Sequence, residues 1–201
     1  MFTLDDFRAA VKAARVPSVS GVHCCRQAAV AVVVREGCQG LEMLFILRSE
    51  HESDPWSGQV SFPGGHVEES DINVRVAAER ETFEETGLDL GDAEFLGRLP
   101  VEKTSRRDEA LNLDVFPCAF GSFRRTSLRL NREVADAFWV PLESLADRRA
   151  RIERTMHWDG RDVAVPGVLL PDGHWIWGLT LRVIDKLVDQ LRTATTTDGW
   201  R

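Results

Sequence analysis

The chain has 201 residues, with 25 basic against 32 acidic side chains and a net charge of −7. One domain of this length buries roughly 70% of its unfolded surface, so no disulfide or metal staple is required. Its 43% hydrophobic and 28% charged residues exclude a disordered, collagenous or fibrous chain. The acidic balance excludes the wrapping of a nucleic-acid polymer, and an anionic substrate would have to be met by local positive charge.

Acids follow Met1 at once (Asp5, Asp6), without a basic n-region, so no signal peptide is predicted. Residues 3–14 predict a helix capped by Thr3, with Leu4, Phe7, Ala10, Val11 and Ala14 at helical spacing. The valine-rich residues 27–34 predict a buried strand. Its apolar run, Ala28–Val34, is too short to cross a membrane. Glu36–Gly40 predicts a turn and Leu41–Leu47 the return strand. A loop is expected at 50–58, and a short strand at Val60–Phe62, stopped by Pro63-Gly64-Gly65. The next helix runs from Asn73 to Thr86 and closes on Gly87. Strands are predicted at 94–99, 112–120 and 136–140, a short helix at 142–146, and one or two irregular strands at 151–170. A last amphipathic helix spans Gly178–Leu191, before a flexible tail at 193–201. Short strands interleaved with helices predict a mixed α/β (α+β) fold. Residues 1–24 are read as an N-terminal helix and lead-in, and 25–192 as the domain. Cys24, Cys25, Cys38 and Cys118 lack metal spacing, which suits free thiols in the cytoplasm.

The chemistry concentrates in Gly64-Gly65-His66 and in Arg80-Glu81-Thr82-Phe83-Glu84-Glu85-Thr86-Gly87. At about 100° per residue, Glu81, Glu84 and Glu85 fall in one arc of the helix. Ile72, Val76 and Phe83 gather opposite as an expected apolar stripe. Three like charges on one face call for a cation, and carboxylate oxygens suit Mg²⁺ or Mn²⁺. Without side chains, Gly64 and Gly65 let carbonyls approach a metal and N–H groups approach a phosphate. Arg80 is placed to orient Glu81 through a bidentate pair. Arg80, Glu81, Glu84, Glu85 and Gly87 coincide by chance with odds on the order of 10⁻⁴ in such a chain. A solvated acidic helix face is the competing explanation.

These residues resemble the signature of the Nudix hydrolases: a glycine, an acid, then Arg-Glu-hydrophobic-x-Glu-Glu-x-Gly-hydrophobic. Gly65, Arg80, Glu81, Glu84, Glu85, Gly87 and Leu88 match. Asp71 stands for the first acid, one residue further from Arg80 than usual, and reads either as that acid or as an N-cap. Thr82 replaces a hydrophobic residue. The extra residue, Arg48-Ser49 with Gly58 and Phe62-Pro63-Gly64-Gly65, and the ending Ile176-Trp177-Gly178-Leu179-Thr180 are similar to the coenzyme A diphosphatase branch. Glu50 and Asp54 depart from its motif, which has a small residue and an arginine there.

The resemblance implies an α/β/α sandwich with a mixed central sheet, and a metal-dependent hydrolase that cleaves the diphosphate of a nucleoside derivative. Coenzyme A or acyl-CoA is favoured. ADP-ribose, nucleotide sugars and nucleoside triphosphates are the alternative substrates, and an inactive ligand-sensing module the alternative class. It also implies that Glu81, Glu84, Glu85 and the Gly64 carbonyl hold Mg²⁺ or Mn²⁺. Glu81 is the candidate base, Arg80 its positioner, and Arg48, Gly65 and His66 candidate substrate contacts. Lys103 and Arg106 are further cations for phosphate, Glu133 a further acid, and Trp56, Trp158, Trp175 and Trp177 candidate stacking surfaces. The expected partner is a small diphosphate molecule, with no membrane, no nucleic acid, and a homodimer as one possible assembly.

Overall fold

The computed structural model describes residues 1–16, 26–51, 56–104, 112–122, 127–158 and 160–197. Its central strand is β1 (Arg26–Gly37). β-branched side chains suit a pleated surface buried on both faces, and Ala29, Ala31, Val32, Val33 and Val34 are fully buried. β1 turns into β2 (Gly40–Arg48) through a two-residue hairpin, with Gly37 opposite Gly40. Along its other edge it runs parallel to β7 (Leu113–Ser122), from the rung Arg26–Leu113 to the rung Arg35–Ser122. Strands in parallel pairing are covered on both faces, which explains the continuous apolar run.

Below the hairpin, the β2 side of β1 pairs with β4 (Gly64–His66), Ala28 opposite His66 and Ala29 opposite Gly65. With β3 (Val60–Ser61), β5 (Glu94–Arg98), β6 (Glu102–Lys103) and β8 (Val134–Pro141), these strands form a mixed sheet. Its order is β3-β2-β1-β7-β5, with β4 on β1, β6 on β7 and β8 on β2.

Helices cover both faces. On one, α1 (Leu4–Ala13) and α4 (Gly178–Thr197) bury Phe7, Val11, Ile184, Leu187 and Leu191 against Val32, Val34, Met43 and Phe45. On the other, α2 (Val74–Thr86) sets Ala77 and Ala78 against Ala29, Ala31 and Val33. The expected α/β/α sandwich is therefore present. Thr3 caps α1 in a reciprocal capping box with Asp6. The short helix α3 (Leu142–Ala146) lies where expected. Residues 151–177 form a second sheet of β9 (Arg151–Trp158), β10 (Arg161–Leu169) and β11 (Trp175–Trp177), in the order β11-β10-β9.

Several expectations shift. β4, β6 and β11 are too short to leave a periodic pattern; β3 ends before Pro63 as expected, and the glycines open β4 as a separate strand. The irregular segment at 151–170 is a regular antiparallel pair. α4 continues to Thr197, so residues 193–197 of the expected flexible tail are helical. Residues 198–201, like most of the lead-in to residue 24, lie outside the described set. Among the described residues no helix is long and apolar enough to cross a membrane.

Candidate active site

α2 carries the carboxylates, but its buried face is not the expected one. Ile72 and Phe83 are exposed, at 85% and 56%, whereas Ala77, Ala78, Thr82, Glu85 and Thr86 are buried. Small side chains let the helix approach the sheet closely, and this outweighs the hydropathy of Ile72 and Phe83. Thr82 is tolerated because its hydroxyl donates to the Ala78 carbonyl at 2.6 Å; Thr86 does the same to Thr82. Asn73 caps the N-terminus, accepting from the Arg75 and Val76 amides. Gly87 ends the helix at φ 69°, a left-handed conformation that glycine adopts without strain.

Glu85 points into the protein and is 3% exposed. Its Oε2 accepts the Gly64 N–H at 2.8 Å. Burial pushes its pKa up to about 8, against the Gly64 hydrogen bond and the positive charge of Arg48, while Glu81 and Glu133 add to the rise. Glu81 is also raised, first by burial and then by the charges of Glu84 and Glu133, with Arg80 opposing. Gly64 has φ 149°, and a Cβ there would lie 2.3 Å from the Ala29 carbonyl oxygen. A Cβ on Gly65 would lie 2.5 Å from the Glu81 carboxyl carbon. Each glycine is thus required, one by the sheet and the other by the carboxylate. The bonds from Ala31 N–H to the Pro63 carbonyl and from Val67 N–H to the Gln27 carbonyl leave the intervening Gly64 and His66 amide groups turned away from β1. The Gly64 carbonyl therefore stands on the edge that faces the carboxylates.

Arg80 is the hub of this edge. Its bidentate partner is Asp71, through Nε at 3.1 Å and Nη2 at 3.0 Å, rather than Glu81. Nη1 reaches Glu81 at 3.0 Å and Glu84 at 3.3 Å, and Nη2 also donates to the His66 carbonyl. Asp71 is therefore not the N-cap but the anchor of Arg80; its side chain is 2% exposed, and Arg80 holds it below the usual carboxylate range despite burial. The two lie nine positions apart and meet only because the turn before α2 folds back, so helical spacing alone did not reveal the pair.

Of the other candidates, Arg48 ends β2, where its charge favours ionised Glu85. His66 ends β4, with its side chain exposed. Glu133 bears electrostatically on both Glu81 and Glu85, and its carbonyl accepts the Ser49 N–H. Lys103 pairs with Asp114 at 3.5 Å. Trp175 and Trp177 stack on each other at 5.5 Å, on β11. Arg106, Asp54 and the Trp158 side chain lie outside the described set.

Among the described residues no three acids, histidines or cysteines stand together at metal-binding spacing. Glu81 and Glu84 are instead turned onto Arg80, and Glu85 onto Gly64. The donor set nevertheless fits a hard divalent cation: it consists of carboxylate oxygens and a backbone carbonyl, and it includes a glutamate whose pKa is raised first by its burial.

The NUDIX domain profile matches residues 26–159. The chain belongs to the Nudix family. The Nudix hydrolase NudL of Citrobacter koseri is 31% identical, over 94% of this chain and 95% of its own length. The human mitochondrial coenzyme A diphosphatase NUDT8 is 30% identical, over 76% of this chain and 64% of its own. Among solved structures, the Nudix hydrolase RenU of M. smegmatis superposes with a TM-score of 0.54 at 16% identity, covering 85% of this chain and 86% of that one, a likeness of fold. This Nudix protein is accordingly a pyrophosphohydrolase of small nucleoside diphosphate derivatives, in a family whose hydrolases generally need divalent metal ions.

Proposed function

We propose that this Nudix hydrolase cleaves the diphosphate of coenzyme A or its acyl esters in the presence of Mg²⁺ or Mn²⁺. The observation that carries the chemistry is the buried Glu85 beside Gly64, a raised carboxylate that a cation would balance. The preference for coenzyme A is supported by 30% identity to a coenzyme A diphosphatase across an alignment that covers 76% of this chain.

In this reading Glu81, Glu84, Glu85 and the Gly64 carbonyl hold the metal. A divalent ion so held supplies charge neutralisation at the diphosphate and an acidified water. Glu81 takes the proton as the water oxygen attacks phosphorus and the bridging P–O bond breaks. Arg80, fixed by Asp71, keeps Glu81 oriented. Arg48 and His66 meet the substrate, and Gly65 leaves the Glu81 carboxylate its space.

The test is turnover of coenzyme A, acetyl-CoA, ADP-ribose, a nucleotide sugar and a nucleoside triphosphate with each metal, products being identified by mass. 4′-Phosphopantetheine and adenosine 3′,5′-bisphosphate are expected from coenzyme A. Turnover of ADP-ribose alone, without those two products, would replace the substrate, and no metal-dependent turnover at all would overturn the mechanism.

A further inference from the structure

Strand alternation divides the residues around β4 between the two faces of the sheet. Gly65 is opposite Ala29, whose side chain packs with Ala77 and Ala78 of α2, so this face belongs to the carboxylates. His66 is opposite Ala28 and points to the other face. Two residues before Ala28 on β1, Arg26 shares that face. Ala28 itself belongs to a small apolar cluster with Leu113 and Val115, against which Val30 and Leu179 pack.

Arg26 and His66 are both exposed, and Arg26 Nη2 lies 3.2 Å from His66 Nε2. A guanidinium only donates, so in this contact the imidazole Nε2 is the acceptor. No carboxylate pairs with Arg26 among the described residues. Among the described residues the pair therefore presents N–H donors and a guanidinium without a carboxylate partner, on the side of β4 away from Glu81 and Glu85. A planar guanidinium fork matches a phosphate monoester bidentately. A diphosphate held at the α2 edge cannot also occupy this place, since β4 lies between them.

We propose that Arg26, supported by His66, is a specificity residue that binds a further phosphate monoester on the nucleoside part of the substrate. The inference rests on the proposed diphosphatase reading and deepens it, since coenzyme A carries such a monoester on its ribose and ADP-ribose does not.

Calorimetric titration of wild type and Arg26→Gln with adenosine 3′,5′-bisphosphate and with AMP tests it. The wild type is expected to prefer the bisphosphate by about tenfold or more, the usual scale of a charged hydrogen bond. Arg26→Gln is expected to lose that preference while binding AMP within about twofold of wild type, which also shows that the variant is folded. A wild type without preference, equal weakening of both ligands, or an unchanged variant overturns the assignment. Coenzyme A turnover without an Arg26-dependent preference sinks this inference alone. The preference without coenzyme A turnover sinks the substrate alone.

Discussion

Glu85 makes the stability of the metal-free protein depend on pH in an unusual direction. Its pKa lies at 4.5 in an ordinary setting and at about 8 in the folded chain. A carboxyl raised on folding contributes stability that is complete below the lower value and is lost as pH rises through the upper one. Between roughly pH 5 and pH 8 the loss attributable to this single group is on the order of 3 to 4 kcal/mol. Glu85→Gln keeps an acceptor for the Gly64 N–H but cannot ionise. In urea unfolding with a chelator present, the wild type should therefore fall relative to Glu85→Gln by that amount across the range. Added Mg²⁺ or Mn²⁺ should flatten the wild-type curve only, because a cation that binds the native state alone stabilises it and balances the carboxylate. Parallel curves for the two proteins in chelator would refute the claim that burial governs Glu85.

Four further outcomes follow from the geometry. Gly65→Ala meets only the flexible end of Glu81, so turnover should drop by about a hundredfold or more while the melting temperature barely changes; Gly64→Ala meets the Ala29 and Val30 backbone at 2.3 and 2.6 Å and should cost several degrees of melting temperature as well. Asp71→Asn removes the charge that anchors Arg80 and should lower kcat by about tenfold or more with little change in KM, which steady-state kinetics will resolve. Phe83→Ser, on the exposed side of α2, should stay within about 0.5 kcal/mol of wild type in denaturant unfolding.

The carboxylates, the glycine pair and Gly87 were legible because helical spacing and backbone conformation are local properties. So were the long strands and the start of α1. The packing face of α2 was not, since hydropathy ranks Ile72 and Phe83 above Ala77 and Ala78, while close approach to a sheet rewards the reverse. The Arg80–Asp71 pair was missed because a turn brings the two together. Arg26 left no signal, its role depending on a strand register set by residues distant in sequence. The short strands β4, β6 and β11 were invisible for the same reason: their pairing partners, not their own sequence, make them strands.

The long parallel pairing of β1 with β7 bears on how the chain acquires its shape. Arg26 must wait for Leu113, and Arg35 for Ser122, before the central strand has neighbours on both edges. Contacts so distant in sequence slow folding, because loop closure precedes any reward. Until then the Ala28–Val34 segment, uncharged and without proline, has one open edge able to join its counterpart on another chain. On the ribosome this segment emerges long before its partner does. The edge that β7 covers is therefore the place where a strand of a second chain could add during synthesis.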